Sequence, residues 1–392
     1  MDERDSDHIH KRPKGDALKQ DIPFFQHDLG REELKSVAEV LAGPILTTGE
    51  TVGAFERRFA EYLRRGHALG VSSCTGAIHL SLLALGIGPG DEVITTPMTF
   101  IATATGIIEA GARPVFVEVE RETGNLDASR IEEAITERTR AILPVHLYGH
   151  MCDMLAIRRI ADAHRLSVIE DSAHCIEGER DGVRPGDLSD TACFSFYATK
   201  NITCGEGGAV VTDNNELAER LRLLRLHGMT KTANDRLREG YKHWDMIMMG
   251  WKYNMDNIQA AFLLPQMERI DQNWRRRSAL AQRYESGLGG VTAITLPKTL
   301  PNTKHARHLF PVWIGDGRRD AVIDGFRAKG IGAMVNYRAI HLTHYFREAF
   351  GWRRGDFPIA EELGDAVLSL PFYPAMPEAH VDIVSKTLAE LV

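Results

Sequence analysis

Between residues 68 and 213, short apolar runs alternate with longer segments in which apolar side chains recur every three or four positions. The runs predict strands at 68–72, 92–96, 114–119, 141–146 and 167–170, and the periodic segments predict helices at 76–85, 100–109, 128–136 and 154–164. Strands that alternate with helices build a mostly parallel sheet covered on both faces. Two further runs, 191–196 and 208–212, follow each other with no helix between them, so the sheet is expected to be mixed.

Upstream, amphipathic helices are predicted at 32–41 and 52–62, separated by the loop Pro44-Ile45-Leu46-Thr47-Thr48-Gly49. Downstream, Asp213 is the expected cap of a helix that runs to about His227 and stops at Gly228. Residues 229–250 have no clean period and hold Trp244, Met246, Ile247, Met248 and Met249, which predicts a long functional or interface loop. A helical region at 256–284, interrupted at Pro265, is expected to lead into strands near 308–314 and 332–337 and a closing helix at 378–391. The expected organisation is therefore a mobile tail at 1–20, a large α/β domain at 21–255, and a linking helix with a smaller α+β domain at 256–392.

Composition narrows the function without naming it. At 43% hydrophobic and 26% charged residues the chain has ample material for a core. A net charge of -7 argues against a nucleic-acid or membrane-surface partner and leaves small molecules as the expected ligands. The run Arg275-Arg276-Arg277 falls in a helical pattern and reads as a solvated face. Five cysteines with no C-x-x-C spacing support neither a disulfide framework nor a metal centre. With no apolar run long enough to span a bilayer, the expected location is cytoplasmic. The glycines of Gly86-Ile87-Gly88-Pro89-Gly90-Asp91 follow a helix and precede a strand, the wrong order for a dinucleotide fingerprint.

Chemistry concentrates elsewhere. Val168-Ile169-Glu170-Asp171-Ser172-Ala173-His174 delivers two acids and an imidazole at the end of an apolar strand, where ligands of open α/β sheets bind. In Phe194-Ser195-Phe196-Tyr197-Ala198-Thr199-Lys200 a lysine lies between an aromatic strand and the glycine-rich turn Gly205-Glu206-Gly207-Gly208. A carbonyl-capturing lysine paired with a carboxylate for a ring nitrogen is what pyridoxal 5'-phosphate (PLP) chemistry requires. The turn Val71-Ser72-Ser73-Cys74-Thr75-Gly76 opens a helix whose free N–H groups suit a phosphate, and the Ser195 hydroxyl could add to them. Taken singly, each of these residues has an ordinary reading: a surface lysine, a helix-capping aspartate, a structural histidine. Their order and spacing set them apart.

These blocks, together with Pro97-Met98-Thr99-Phe100 and Tyr253-Asn254-Met255-Asp256-Asn257, occur in an order that resembles the DegT-type nucleotide-sugar aminotransferases from about Ile22 to the C-terminus. The resemblance implies the PLP fold type I, aspartate aminotransferase-like, with a mixed, mostly parallel seven-stranded sheet, usually in a homodimer with shared active sites. It implies Lys200 as the Schiff-base lysine, Asp171 as the partner of the pyridine nitrogen, Phe100 stacked on the ring and His174 at its other side. Ser73, Cys74, Thr75 and Ser195 match the phosphate ligands, and Asn254 the asparagine that a neighbouring subunit lends to the phosphate. Tyr337, His341 and Thr48 are the implied substrate contacts. The usual Ser-Gly-Thr turn is Ser73-Cys74-Thr75 here, a departure that bears on the phosphate site.

The activity implied is transfer of an amino group, glutamate being the expected donor, to a UDP-linked 4-keto deoxysugar in the biosynthesis of cell-surface polysaccharide or an antibiotic sugar. A 3-keto acceptor, a small amino acid substrate and a non-catalytic PLP-binding regulatory protein are the alternatives. The lysine disfavours the dehydratase branch, which carries histidine in its place.

Overall fold

The computed structural model describes residues 22–231 and 243–392. The predicted tail at 1–20 and the middle of the 229–250 loop lie outside the described residues. The first helices are α1 (Arg31–Leu41) and α2 (Glu50–Leu63); then come β1 (His67–Val71), α3 (Cys74–Ala84), β2 (Glu92–Thr95), α4 (Ile101–Glu109), β3 (Arg113–Phe116) and β4 (Thr139–Ile142). The chain continues through α5 (Met154–His164), β5 (Ser167–Asp171), the short β6 (Glu179–Arg180), β7 (Thr191–Ser195), β8 (Gly208–Thr212) and α6 (Asn215–Leu224).

Seven strands form one sheet in the order β1-β8-β7-β5-β4-β2-β3. β8 alone runs against its neighbours, antiparallel to both β1 and β7; the other pairings are parallel. β1, β7 and β8 are buried almost throughout, and so is α3, which is apolar nearly all round. The antiparallel turn of β8 has a consequence for chemistry. Its first residue, Gly208, pairs with the last residue of β7, Ser195, and the last of β1, Val71. The excursion from 196 to 207, which carries Lys200, therefore leaves and returns at the edge where β1, β5 and β7 end.

A 32-residue helix, Asn257–Leu288, follows and is capped at Asp256, whose side chain accepts from the N–H of Gln259. The interruption expected at Pro265 does not occur. The cost of an interior proline, about 3 kcal/mol, is offset by packing: Ala260, Leu263, Met267 and Ile270 bury into the core beneath α2, and Leu280, Tyr284 and Leu288 into the C-terminal core. That second core surrounds a three-stranded antiparallel sheet of β9 (Ile294–Thr295), β11 (Phe310–Ile314) and β12 (Val367–Leu370), while β10 (Thr303–Lys304) pairs with β6. The closing helix, Glu378–Leu391, forms as expected. Among the described residues no helix is long and apolar enough to cross a membrane.

Other expectations need correction. Residues 128–136 make two short 3-10 turns, Ala128–Arg130 and Glu132–Ala134, because local side chains compete for the backbone. Asp127 accepts from the N–H of Ser129, and Thr139 Oγ1 from that of Thr136. The cap of α6 is Asn214, bonded to the Leu217 N–H; Asp213 instead takes the Gly66 N–H and an ion pair with Arg65. Residues 332–337 form no strand: the segment joins the small sheet through the isolated Met334–Ser369 bridge and packs Ala333, Val335 and Tyr337 against its core. Arg277 is not a solvated residue: it is 2% exposed and ion-paired with buried Glu177.

Candidate active site

Of the two acids that end β5, strand alternation sends one into the core and one to the edge. Glu170 is fully buried and binds His146 Nε2 and the Gly186 N–H. Asp171 faces α3 and α4. Its Oδ2 accepts from Thr103 Oγ1 at 2.7 Å, and its Oδ1 from the Ala173 N–H at 3.1 Å. Since Thr103 spends its proton on Asp171, the 2.7 Å contact with Thr99 Oγ1 must be donated by Thr99. Two hydroxyls in series thus orient the carboxylate.

Cys74, expected only as a phosphate ligand, turns its thiol inward. Its Sγ lies 3.9 Å from Asp171 Oδ1, and burial, followed by the charge of Asp171, holds the thiol well above its usual pKa. The backbone of the turn remains available. Ser73 is the N-cap of α3, its Oγ accepting from the Gly76 N–H at 3.0 Å. The N–H groups of Cys74 and Thr75, in the first turn of α3, have no acceptor within the helix and mark a site for an anion.

Gly208 makes this turn possible. A Cβ on it would lie 2.5 Å from the Ser73 carbonyl carbon and 2.6 Å from the Cys74 nitrogen. Only glycine lets β8 approach the start of α3 so closely, with Ser195 opposite in register. Gly208→Ala is expected to cost about 1–3 kcal/mol of stability and to weaken phosphate-dependent cofactor binding, measurable by thermal unfolding and by PLP titration of the two proteins.

Lys200 is half-buried on the loop between β7 and β8. Desolvation lowers its amine from the usual 10.5 to about 8, against the opposing pull of Asp171. The folded state thus binds this proton less readily than the unfolded chain, so Lys200 penalises the fold below pH 8, and the penalty lifts as pH rises from about 8 towards 10.5. In the cofactor-free protein, acylation of Lys200 followed by peptide mass should titrate with a midpoint near pH 8. A midpoint at the value of ordinary surface lysines would contradict the desolvated setting.

His174 completes the edge. Its Nδ1 accepts from the Tyr148 N–H at 3.2 Å, so the ring proton resides on Nε2, which donates to Tyr337 Oη at 3.2 Å. Burial first, and the Lys200 charge second, keep this imidazole neutral by pushing its pKa well below the usual value. The Tyr337 ring lies 5.7 Å from Phe100, whose side chain is 54% exposed, leaving an open aromatic face beside the lysine edge.

Behind the loop runs a polar chain that sequence reasoning missed. His308 packs on His174 with centroids 4.4 Å apart and bonds Asn201 Oδ1 at 3.1 Å. The Asn201 amide donates to Glu177 Oε2 at 2.7 Å and to the Ala306 carbonyl at 3.2 Å, and Glu177 is the buried partner of Arg277. The residue next to Lys200 is thereby anchored to the long helix. The adjacency of Asn201 to Lys200 was the only available signal; Thr103, four residues after Thr99, could have been found from its helical spacing to that hydroxyl.

Asn254 borders this edge, pairing with Val71 at the end of β1. Thr48 and Asn254 bond each other, Nδ2 to Oγ1 at 2.7 Å, on the side of β1 away from β8, and Asn254 also accepts from Lys252 Nζ. His341 is fully buried, with Nε2 3.0 Å from Glu361 Oε1 and its ring against Phe357.

The groups present fit PLP: a glycine-permitted helix start for a phosphate, a lysine of lowered basicity, an oriented carboxylate and an open aromatic face. Fold and site together define a PLP-dependent transferase of the aspartate aminotransferase-like type. Residues 27–389 match the DegT/DnrJ/EryC1/StrS aminotransferase family, and the chain belongs to it. It is 39% identical over 377 residues to the spore coat polysaccharide biosynthesis protein SpsC of Bacillus subtilis, covering 95% of this chain and 97% of that one. Among solved structures it is similar to DesV of S. venezuelae, at 40% identity and TM-score 0.86, over 92% of this chain and 94% of that one. It is also similar to Spr1654 of Streptococcus pneumoniae, solved in a PMP form (29% identity, TM-score 0.90) and a PLP form (28%, 0.89), each over 94% of this chain and 98% of that one. PLP is the cofactor of the family.

Proposed function

We propose that this chain uses PLP to move an amino group from an amino acid, glutamate in the first instance, to the keto carbon of a nucleotide-linked deoxysugar, a UDP-4-keto sugar. One observation carries the reading: Lys200, Asp171 and the start of α3 meet at a single sheet edge because β8 is antiparallel. When bound, PLP supplies a carbonyl carbon that takes up the amine and a ring that draws electrons from the reacting carbon. Lys200 would hold that carbonyl carbon, and its Nζ, whose basicity burial lowers, would take and return a proton. Asp171 would pair with the ring nitrogen and favour its protonated form. The N–H groups of Cys74 and Thr75, with the hydroxyls of Ser73, Thr75 and Ser195, hold the phosphate. Phe100 and His174 would flank the ring, and His174, bonded to Tyr337, would orient that phenol.

Asn254 and Thr48 bond each other on the open side of β1, a placement that suits a homodimer in which they serve the neighbouring site. The exposed run Trp244, Met246, Ile247 and Met249 gives such a dimer apolar surface to cover. The spore coat polysaccharide role of SpsC supports a product destined for a surface glycan. The free cysteines and the small-molecule substrates suit a cytoplasmic reaction.

The test runs in two halves. The PLP-loaded protein should release one 2-oxoglutarate per bound cofactor from glutamate; the resulting amine-loaded protein should then aminate a UDP-4-keto sugar, with the position read by mass and proton NMR. Amination at C3 would select the 3-keto reading. Release of no 2-oxo acid from any common amino donor would favour a non-catalytic PLP-binding protein.

A further inference from the structure

Beside Tyr337 the chain turns into a hollow of about 340 Å³ lined by Arg338, Leu342, Arg347, Arg353 and Arg354. We propose that this hollow is an anion site that takes the diphosphate of the sugar nucleotide, an inference that rests on the sugar-nucleotide reading above and extends it to named residues.

Four guanidinium groups around one concavity run against the charge of a chain whose net is -7. Some arginines elsewhere that are likewise exposed meet carboxylates, as Arg121 meets Glu362 and Arg283 meets Asp382. In the hollow only Arg354 does, 2.8 Å from Asp365 and 3.7 Å from Glu361. Among the described residues no carboxylate lies within ion-pair reach of Arg338, Arg347 or Arg353. The neighbouring acids are engaged otherwise. Asp356 accepts the backbone N–H of Arg353 at 2.7 Å, and Glu361 is shared among His341 and the N–H groups of Gly355 and Phe357. Three exposed cations thus face one cavity without a counter-charge, an arrangement that self-repulsion disfavours until an anion enters.

Position identifies which anion. Arg338 follows Tyr337, whose hydroxyl rests on His174 Nε2, and the Ile340 N–H bonds the Pro97 carbonyl, which fastens this segment to the stretch leading to Phe100. Arg338, on the rim of the hollow, thus stands one residue from the tyrosine that rests on His174. In a sugar nucleotide the group attached to the sugar is a diphosphate, and planar guanidinium forks match its oxygens two at a time.

Calorimetry on the PLP-loaded protein tests the site with UDP, UMP, uridine and inorganic pyrophosphate as probes. UDP should bind, UMP more weakly and uridine not measurably. Arg347→Ala with Arg353→Ala should weaken UDP by about 100-fold or more, since each lost charged hydrogen bond is worth roughly tenfold or more. The same variant should raise KM for the keto sugar with kcat within a few-fold and leave the glutamate half-reaction and thermal midpoint unchanged. Arg347→Lys with Arg353→Lys should recover part of the affinity. Equal UDP affinity in wild type and double-alanine variant would overturn the inference, as would wild-type protein that binds neither UDP nor pyrophosphate at millimolar concentration, or pyrophosphate alone. Arginine-dependent UDP binding without amination of any keto sugar would uphold the anion site and overturn the acceptor proposed above.

Discussion

Lys200→Ala is expected to lose at least about 1,000-fold in transamination, the scale on which removal of a covalent nucleophile acts when no neighbour can replace it. No neighbour can. His174 is held neutral by burial and by bonds at both ring nitrogens, and the thiols nearest the edge, Cys74 and Cys193, are pushed far up by burial. The phosphate turn at Ser73 and Gly208 is built by backbone approach and does not involve the lysine side chain. PLP affinity, measured by equilibrium dialysis, should therefore fall far less than turnover, measured in single-turnover experiments with glutamate. A variant retaining a tenth of wild-type turnover would remove Lys200 from the reaction.

The second large effect falls on Asp171. Asp171→Ala should lower turnover by at least about 100-fold, the size seen when one preorganised electrostatic group is deleted, and Asp171→Asn should do nearly as badly because an amide cannot hold a positive ring nitrogen. The partners grade the effect. Thr103→Val removes a 2.7 Å hydroxyl donor and should cost roughly tenfold. Cys74→Ala removes a weak thiol donor at 3.9 Å and should cost less. Should Cys74→Ala prove the more damaging of the two, the hydroxyl relay through Thr99 and Thr103 would not be what orients Asp171.

Much of this edge was legible in the sequence because it is made of strand ends. A strand run followed by small residues marks where β1 stops and α3 begins, and the same logic placed Asp171 and Lys200 on the rim of one sheet. What escaped is what depends on partners far along the chain. Arg277 belongs to a run of three arginines that reads as a solvated face; its partner Glu177 lies 100 residues away, and nothing local announces the burial. The burial that Glu361 and Phe357 give His341 likewise comes from residues farther along the chain. Pro265 looked like a helix breaker until packing on both halves of the long helix outweighed the local penalty. The thiol of Cys74 could not be aimed from sequence either, since the spacing specifies the backbone turn and not the rotamer. The seven-stranded sheet itself was expected, mixed and mostly parallel, and it is the reversed strand β8 that explains why the lysine loop returns to the phosphate turn.

The central claim is that the cofactor is held through Lys200. Borohydride reduction of the PLP-loaded protein, followed by proteolysis and peptide mass, reads this directly. The account predicts one reduced pyridoxyl phosphate per chain, carried on the peptide containing Lys200 and absent from the Lys200→Ala protein. Cofactor fixed on any other lysine, or none fixed in a protein that still transaminates, would contradict it.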